Sequence, residues 1–228
     1  MPSVCVCAAL QNFVADLYES SRRRHGADEV QRHYEAFKQH SDKYFSQAKW
    51  PSANLIAEEC ADDELFLTFY NEMASRHLFT KQKRGVISLD DYIDSWHNYR
   101  EIFDHVLSQR NETDTITLTP QWAYDIVQEF VYQFQGFCQY RAQAAGRKDD
   151  ELEELRQQTD VWALPTVVQY LRSLISRGQV RDVLKNRREH GSVATGDESN
   201  VRFLLGYFSI TELSRLFCLI GNYEDALE

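Results

Sequence analysis

The sequence predicts an all-α protein, an irregular helical-repeat superhelix of the TPR/HEAT-like kind, on three observations. Apolar residues recur at three- and four-residue spacing through most of the chain, as one face of a helix requires. Nine glycines and four prolines in 228 residues are too few for the many turns of an all-β fold. Aromatic residues make up 13% of the chain, which suits broad helix-to-helix contacts.

The first helix carries Phe13, Leu17 and Tyr18 inward, and Arg22, Arg23, Arg24 and Gly26 interrupt it. A second runs from residue 28 to 47 with Val30, Tyr34, Phe37, Tyr44 and Phe45 on its apolar face. Trp50, Pro51 and Ser52 break that run and open a short helix with Leu55 and Ile56. Asp62 and Asp63 sit where acidic side chains complement a helix N-terminus, and Leu65, Phe66, Phe69, Tyr70 and Met73 form the stripe that follows. Ser88, Leu89, Asp90 and Asp91 resemble a capping box with Asp in the place of Glu. The helix behind it continues through Tyr92, Ile93, Trp96, Phe103, Val106 and Leu107.

Residues 111 to 117 read as a connector. Thr119 then offers a hydroxyl cap, Pro120 occupies a position where its missing N–H costs nothing, and Trp122, Ile126, Phe130, Phe134 and Phe137 make the bulkiest stripe in the chain. The charged stretch from 147 to 160 is a solvated helix or a loop, because Leu152 and Leu155 are its only sizeable aliphatic residues. Pro165 opens a helix with Val168, Leu171, Leu174 and Ile175, and residues 190 to 200 have loop composition. The last long helix holds Phe203, Leu204, Tyr207, Phe208, Leu213, Leu216 and Phe217. Gly221 and Asn222 are its stop signal, and Tyr223 starts another helix cut short by the chain end. Residues 1 to 228 are expected to form one helical-repeat region with sub-blocks 8 to 110 and 118 to 228, and variable loops near 147 to 160 and 190 to 200.

Catalytic chemistry finds little support. His77, His97 and His105 lack metal-ligand spacing, and no His-Glu-x-x-His occurs, so structural or surface roles are expected. Gly191 and Gly196 have the glycine spacing of a phosphate loop, but Asp197 and Glu198 stand where Lys and Ser or Thr belong, and two carboxylates repel phosphate. Cys138, beside the main stripe, reads as a buried inert thiol. The pairs Asp62/Asp63, Asp90/Asp91 and Asp149/Asp150 fit helix starts or solvated runs. Five cysteines without framework spacing fit reduced thiols, and Cys5 and Cys7 are a weak metal or redox hint. The expectation is no catalytic residue, no metal, no cofactor and no small-molecule substrate.

With a formal net charge of −10 the chain as a whole repels polyanions and anionic membranes. No apolar run approaches the roughly 20 residues of a membrane span. The start lacks a cationic region before its apolar residues, which argues against a signal peptide and for a cytoplasmic protein. The exception to the acidic balance is a cationic stripe: Arg177, Arg181, Lys185 and Arg188 recur at three or four residues, as on one helix face. It is the candidate contact for a carboxylate-rich partner or ribosomal RNA phosphate.

Several segments in fixed order resemble one family. Phe13-Val-Ala-Asp-Leu-Tyr-Glu-Ser-Ser, Trp50-Pro51, Asp63-Glu-Leu-Phe-Leu-Thr-Phe-Tyr-Asn-Glu, Arg76-His77 and residues 88 to 107 with Trp96-His-Asn-Tyr99 are similar to the L subunits of eukaryotic translation initiation factor 3. The match is strongest at Gln121-Trp122 and Tyr132-Gln-Phe-Gln-Gly-Phe-Cys-Gln-Tyr-Arg141, and it continues through Leu205-Gly-Tyr-Phe-Ser209 and Leu219-Ile-Gly-Asn-Tyr-Glu-Asp-Ala-Leu227. Residues 147 to 160 and 190 to 200 depart from it. The resemblance implies a helical-repeat segment leading into a PCI domain whose winged-helix part is absent here. It also implies a non-enzymatic scaffold that assembles with other subunits of the factor, notably K and E, and attaches to the small ribosomal subunit. The other readings are a PCI-type scaffold of the proteasome lid or signalosome, and an α-helical intracellular enzyme using the histidines or carboxylates.

Overall fold

The computed structural model describes residues 8–22, 27–45, 49–81, 87–108, 116–143, 149–190 and 201–227, and among these every regular element is a helix. Two antiparallel pairs come first, α1 (Ala8–Arg22) with α2 (Ala27–Tyr44) and α3 (Glu64–Lys81) with α4 (Leu89–Ser108). Two single 3-10 turns, Ala53–Leu55 and Ala57–Cys60, join the pairs and pack against α1 and α3. Then follow α5 (Pro120–Ala142), α6 (Asp149–Gln157), α7 (Leu164–Arg177), α8 (Val180–His190), α9 (Val201–Leu219) and the one-turn α10 (Tyr223–Ala226). α9 passes over α8 in sequence to lie against both α7 and α5. The result is an all-α superhelix whose repeats are irregular.

The helix starts follow local chemistry. Thr119 has extended backbone and its hydroxyl accepts the Trp122 amide at 3.2 Å, with Pro120 in the first turn. Ser88 and Asp91 exchange bonds reciprocally: the Ser88 amide and hydroxyl donate to the Asp91 carboxylate, each at 2.9 Å, and the Asp91 amide donates to the Ser88 hydroxyl at 3.1 Å. Asp63 accepts the Phe66 amide at 2.9 Å, which places the start of α3 where its acidic residues indicate. Gly221, at φ 78°, ends α9 in a conformation that disfavours any side chain.

The core is built from rings. Trp122 stacks on Tyr34 at 5.0 Å and meets Phe69 edge-on at 6.0 Å, so α5 is fastened to α2 and α3 by one indole. Further along, Phe130 lies 4.9 Å from Phe103 and 5.2 Å from Tyr99, joining α5 to α4. Trp162 closes the group at 5.1 Å from Trp96 and 5.3 Å from Phe130. It is 1% exposed, its Nε1–H donates to the Tyr92 carbonyl at 2.9 Å, and its backbone is left-handed at φ 50°. Such a conformation costs a bulky residue on the order of 1 kcal/mol or more, which ring burial and a satisfied N–H offset.

Several expectations need correction. Tyr44 and Leu55 face water at 39% and 53% exposure: Tyr44 is the last residue of α2, one position before Phe45 turns inward, and Leu55 ends a 3-10 turn one position before the inward Ile56. Cys138 is exposed because it follows Phe137 by one residue, about 100° around the helix, which carries it off the buried stripe. Within the charged 147 to 160 stretch a helix forms, and Leu155 alone among its residues is fully inside. Residues 116 to 118, just before Thr119, are part of the core: Ile116 and Leu118 are buried, and the Thr117 amide donates to the Ser21 carbonyl at 2.8 Å. Cys5, Cys7, Arg23, Arg24 and the glycine-spaced loop from 191 to 196 lie outside the described residues.

Candidate partner-binding surface

Several ionisable groups with strongly altered proton affinity point inward, at one another. Arg76, five residues before the end of α3, holds Glu72 at 2.9 Å on its own helix and Asp125 of α5 at 3.0 Å. It also donates to the Tyr34 hydroxyl of α2, which donates in turn to Asp125 at 2.6 Å. Tyr99 of α4 donates to the other Glu72 oxygen at 3.3 Å. Burial alone would weaken the Arg76 cation, but Glu72, Tyr34 and Asp125 hold its proton on. Burial pushes the carboxyl of Glu72 up, and that of Glu129 to about 7. This arrangement ties four helices together through bonds directed at protein groups. It is a lock, its bonds running from helix to helix.

The histidines do not converge either. His77 is buried with Nε2 2.9 Å from the Phe45 carbonyl, an acceptor, so Nε2 carries the proton. His97 is exposed and His105 half-buried on α4. Among the described residues no three His, Cys, Asp or Glu side chains gather as a metal would need. Partial burial raises the thiol of Cys138 above its ordinary value, which disfavours the nucleophilic thiolate. No helix of the described residues is long and apolar enough to cross a membrane.

The cationic stripe is not one helix face. α7 stops at Arg177, Gly178 caps it, and Gln179 turns the chain at φ 50° before α8 begins at Val180. Arg177 therefore belongs to α7, whereas Arg181, Lys185 and Arg188 share a face of α8; all four are exposed. Helical phase alone ran across the break. What the sequence hides is why the break is there: a Cβ on Gly178 would lie 2.6 Å from the Arg202 carbonyl, and one on Gly206 2.6 Å from the Leu174 carbonyl. Two glycines thus let the backbones of α7 and α9 come close beside the turn from α7 into α8.

A groove of about 950 Å3 lies between α7, the start of α9, the end of α4 and Val183 of α8. Its apolar floor is Leu107, Val168, Val183 and Phe203. Arg172, Arg177 and Arg202 line it with the hydroxyl-bearing Ser173 and Ser176, and none of its described lining residues is acidic. Arg202 braces the wall by donating Nε–H to the Val106 carbonyl at 3.2 Å. Arg181 lines the adjoining depression, together with Asp182 and Asp225. Arg177 is thus the member of the sequence-predicted set that the fold brings together with two cations, Arg172 and Arg202, which sequence spacing did not single out.

Comparison with known proteins places the chain. The family model described as RNA polymerase I-associated factor PAF67 matches residues 91–228. The eukaryotic translation initiation factor 3 subunit L of Nematostella vectensis is 34% identical over 208 residues, covering 88% of this chain and 38% of that protein. The subunit L proteins of Danio rerio and Homo sapiens are 33% and 32% identical over 197 residues, each covering 82% of this chain and 33% and 34% of the relative. The chain thus spans little more than a third of the length of these relatives. The aromatic α5 and all but the first two residues of α4 lie within the family match, and the chain belongs to the family of eukaryotic translation initiation factor 3 subunit L.

Proposed function

We propose that this chain is a non-catalytic scaffold of the cytoplasmic translation initiation factor 3 complex, supporting assembly with other subunits, K and E among them, and association with the small ribosomal subunit. In this reading residues 1 to 228 are one helical-repeat region of the kind that leads into a PCI domain. The observation that carries it is family membership at 34% identity over most of the chain. The physical chemistry agrees with it: the buried acids around Arg76 spend their bonds on holding helices together, while cations beside apolar side chains line the α7–α9 groove. Exposed Tyr207, Leu219 and Tyr223 at 43%, 58% and 66% add apolar area that a partner can cover.

The test is recovery of partners. The protein tagged at its native expression level should co-purify with other subunits of the initiation factor and sediment in part with small ribosomal subunits. A preparation that brings down none of those subunits refutes the reading.

A further inference from the structure

We propose that the groove between α3 and α4 docks an extended, basic peptide segment of a partner protein. Lysine or arginine side chains of that segment pair with Asp94 and Glu101, and one of its N–H groups donates to the Asn98 amide oxygen. The inference rests on the scaffold reading and deepens it by naming a surface and the chemistry of the partner that fits it.

Unmatched charge is the first support. The groove, of about 450 Å3, runs along the α3–α4 pair, and on its α4 side Asp91, Asp94, Asn98 and Glu101 recur at three or four residues, as on one helix face. Asp91 is already committed: it accepts the Ser88 amide and hydroxyl and pairs with Lys49 at 2.8 Å. Lys49 is the one lysine or arginine in the described lining. Asp94 and Glu101 are exposed, and neither has an ion pair or hydrogen bond among the described residues. The net charge of −10 adds its attraction to theirs, so local and overall fields both favour a cation and oppose a nucleic acid.

The second support is a neutral group. Asn98 stands one turn from Asp94 and one turn from Glu101, is 8% exposed, and donates from Nδ2 to the Thr68 carbonyl of α3 at 3.1 Å. Only the amide nitrogen can make that bond, so the orientation of the side chain is fixed and Oδ1 is its other end. Among the described residues Oδ1 receives no donor. An amide oxygen held this deep in a groove wall, between two unpaired carboxylates, is a place for an N–H.

Spacing and width select a peptide. Asp94 and Glu101 are seven residues apart, about 10.5 Å along the helix axis, which is close to three residues of an extended polyproline II segment at about 3.1 Å each. Basic residues three apart on such a segment lie on one side and reach both carboxylates. Across the groove Ala74 and Ser75 are short side chains, which leave width for a main chain. A single metal ion fits less well, since no three His, Cys, Asp or Glu side chains converge among the described residues.

The experiment uses the full chain and fluorescence anisotropy. The probe is a labelled peptide repeating lysine, proline and serine, which places lysines three apart; the same peptide with glutamine for lysine is its neutral counterpart, and spermine is the competitor. The lysine peptide should bind at least tenfold more tightly than the glutamine peptide. Asp94→Asn with Glu101→Gln should weaken the lysine peptide about tenfold, with helicity and thermal midpoint unchanged because both positions are exposed. Asp150→Asn with Glu154→Gln, at exposed positions of α6, changes the net charge equally and should leave the affinity within about twofold. Equal binding of both peptides, indifference to the groove pair, an equal loss from the α6 pair, or spermine binding as tightly as the peptide overturns the proposal. Any of these would leave the scaffold reading standing, because that reading falls on subunit co-purification alone.

Discussion

Where α3 meets α2 and α5, contact is made by long side chains reaching across the gap between helices. Arg76 spans it to Asp125, Tyr34 completes the triangle, and Trp122 fills the remaining space. Where α7 meets α9, contact is made by the absence of side chains, with Gly178 and Gly206 letting carbonyls come where a Cβ would sit. The first kind of junction tolerates small backbone shifts, because side chains re-aim, but it depends on every charge keeping its partner. The second has no charge to lose and almost no room. One protein therefore offers two opposite failure modes, and substitutions can separate them.

The larger effect belongs to the charged junction. Arg76→Leu leaves Glu72, which is fully buried, and Asp125 without their cation, and stranding buried charge costs about 3 to 5 kcal/mol. Urea unfolding should show that loss at neutral pH. The deficit should shrink as pH falls, since protonation of Glu72 removes the stranded charge. A variant as stable as the parent at pH 7 would mean that the lock contributes nothing and that the rings alone hold the N-terminal helices.

At the glycine junction, Gly206→Ala improves helix propensity by about 1 kcal/mol but drives a Cβ to 2.6 Å from the Leu174 carbonyl and 2.9 Å from a Val180 methyl. Backbone atoms cannot rotate away, so a net loss of about 2 kcal/mol is expected, independent of pH. The thermal midpoint of Gly206→Ala measured at pH 5 and pH 8 checks both statements. A pH-dependent deficit would show that the two junctions are coupled.

How much of this was legible in the sequence follows the range of each interaction. Thr119 with Pro120, and Ser88 with Asp91, act across three residues and could be read directly. The ring stripe of α5 repeats at helical spacing and was legible for the same reason. Glu72 and Arg76 sit one turn apart, but Asp125 and Tyr34 come from other helices, so the lock was invisible as a unit. Trp162 owes its burial to a left-handed turn and to partners more than thirty residues away, and no periodicity announces it. At the candidate surface, Arg177 was named from spacing that a helix break interrupts. Arg172 and Arg202 carry no such signal, because the groove joining them exists only once α9 packs on α7. A glycine needed for close approach looks in sequence like any other glycine.

The smallest expected effect sharpens the account of the charged junction by asking how its charges balance. Around Arg76 stand the carboxyls of Glu72, Asp125 and Glu129, so one cation faces three acids, with Tyr99 of α4 also close to Glu129. Burial raises the Glu129 carboxyl to about 7; Glu72 and Asp125 push the same way, against the Gln133 amide, which donates at 3.1 Å, and Arg76. A carboxyl whose folded value lies above its unfolded value, near 4.3, favours the protonated folded state. Its contribution to stability is full below that unfolded value and is lost as pH climbs through about 7. Since Glu129 is half-buried by its surface, water shares part of the cost, and about 1.5 kcal/mol should be lost between pH 5 and pH 8. Glu129→Gln keeps the shape and removes the titration, so its unfolding free energy should fall less over that interval and exceed the parent's at pH 8. Parallel pH profiles for parent and variant would show that the excess negative charge is already screened, and that the lock works as a simple ion pair between Arg76 and its two nearest carboxylates.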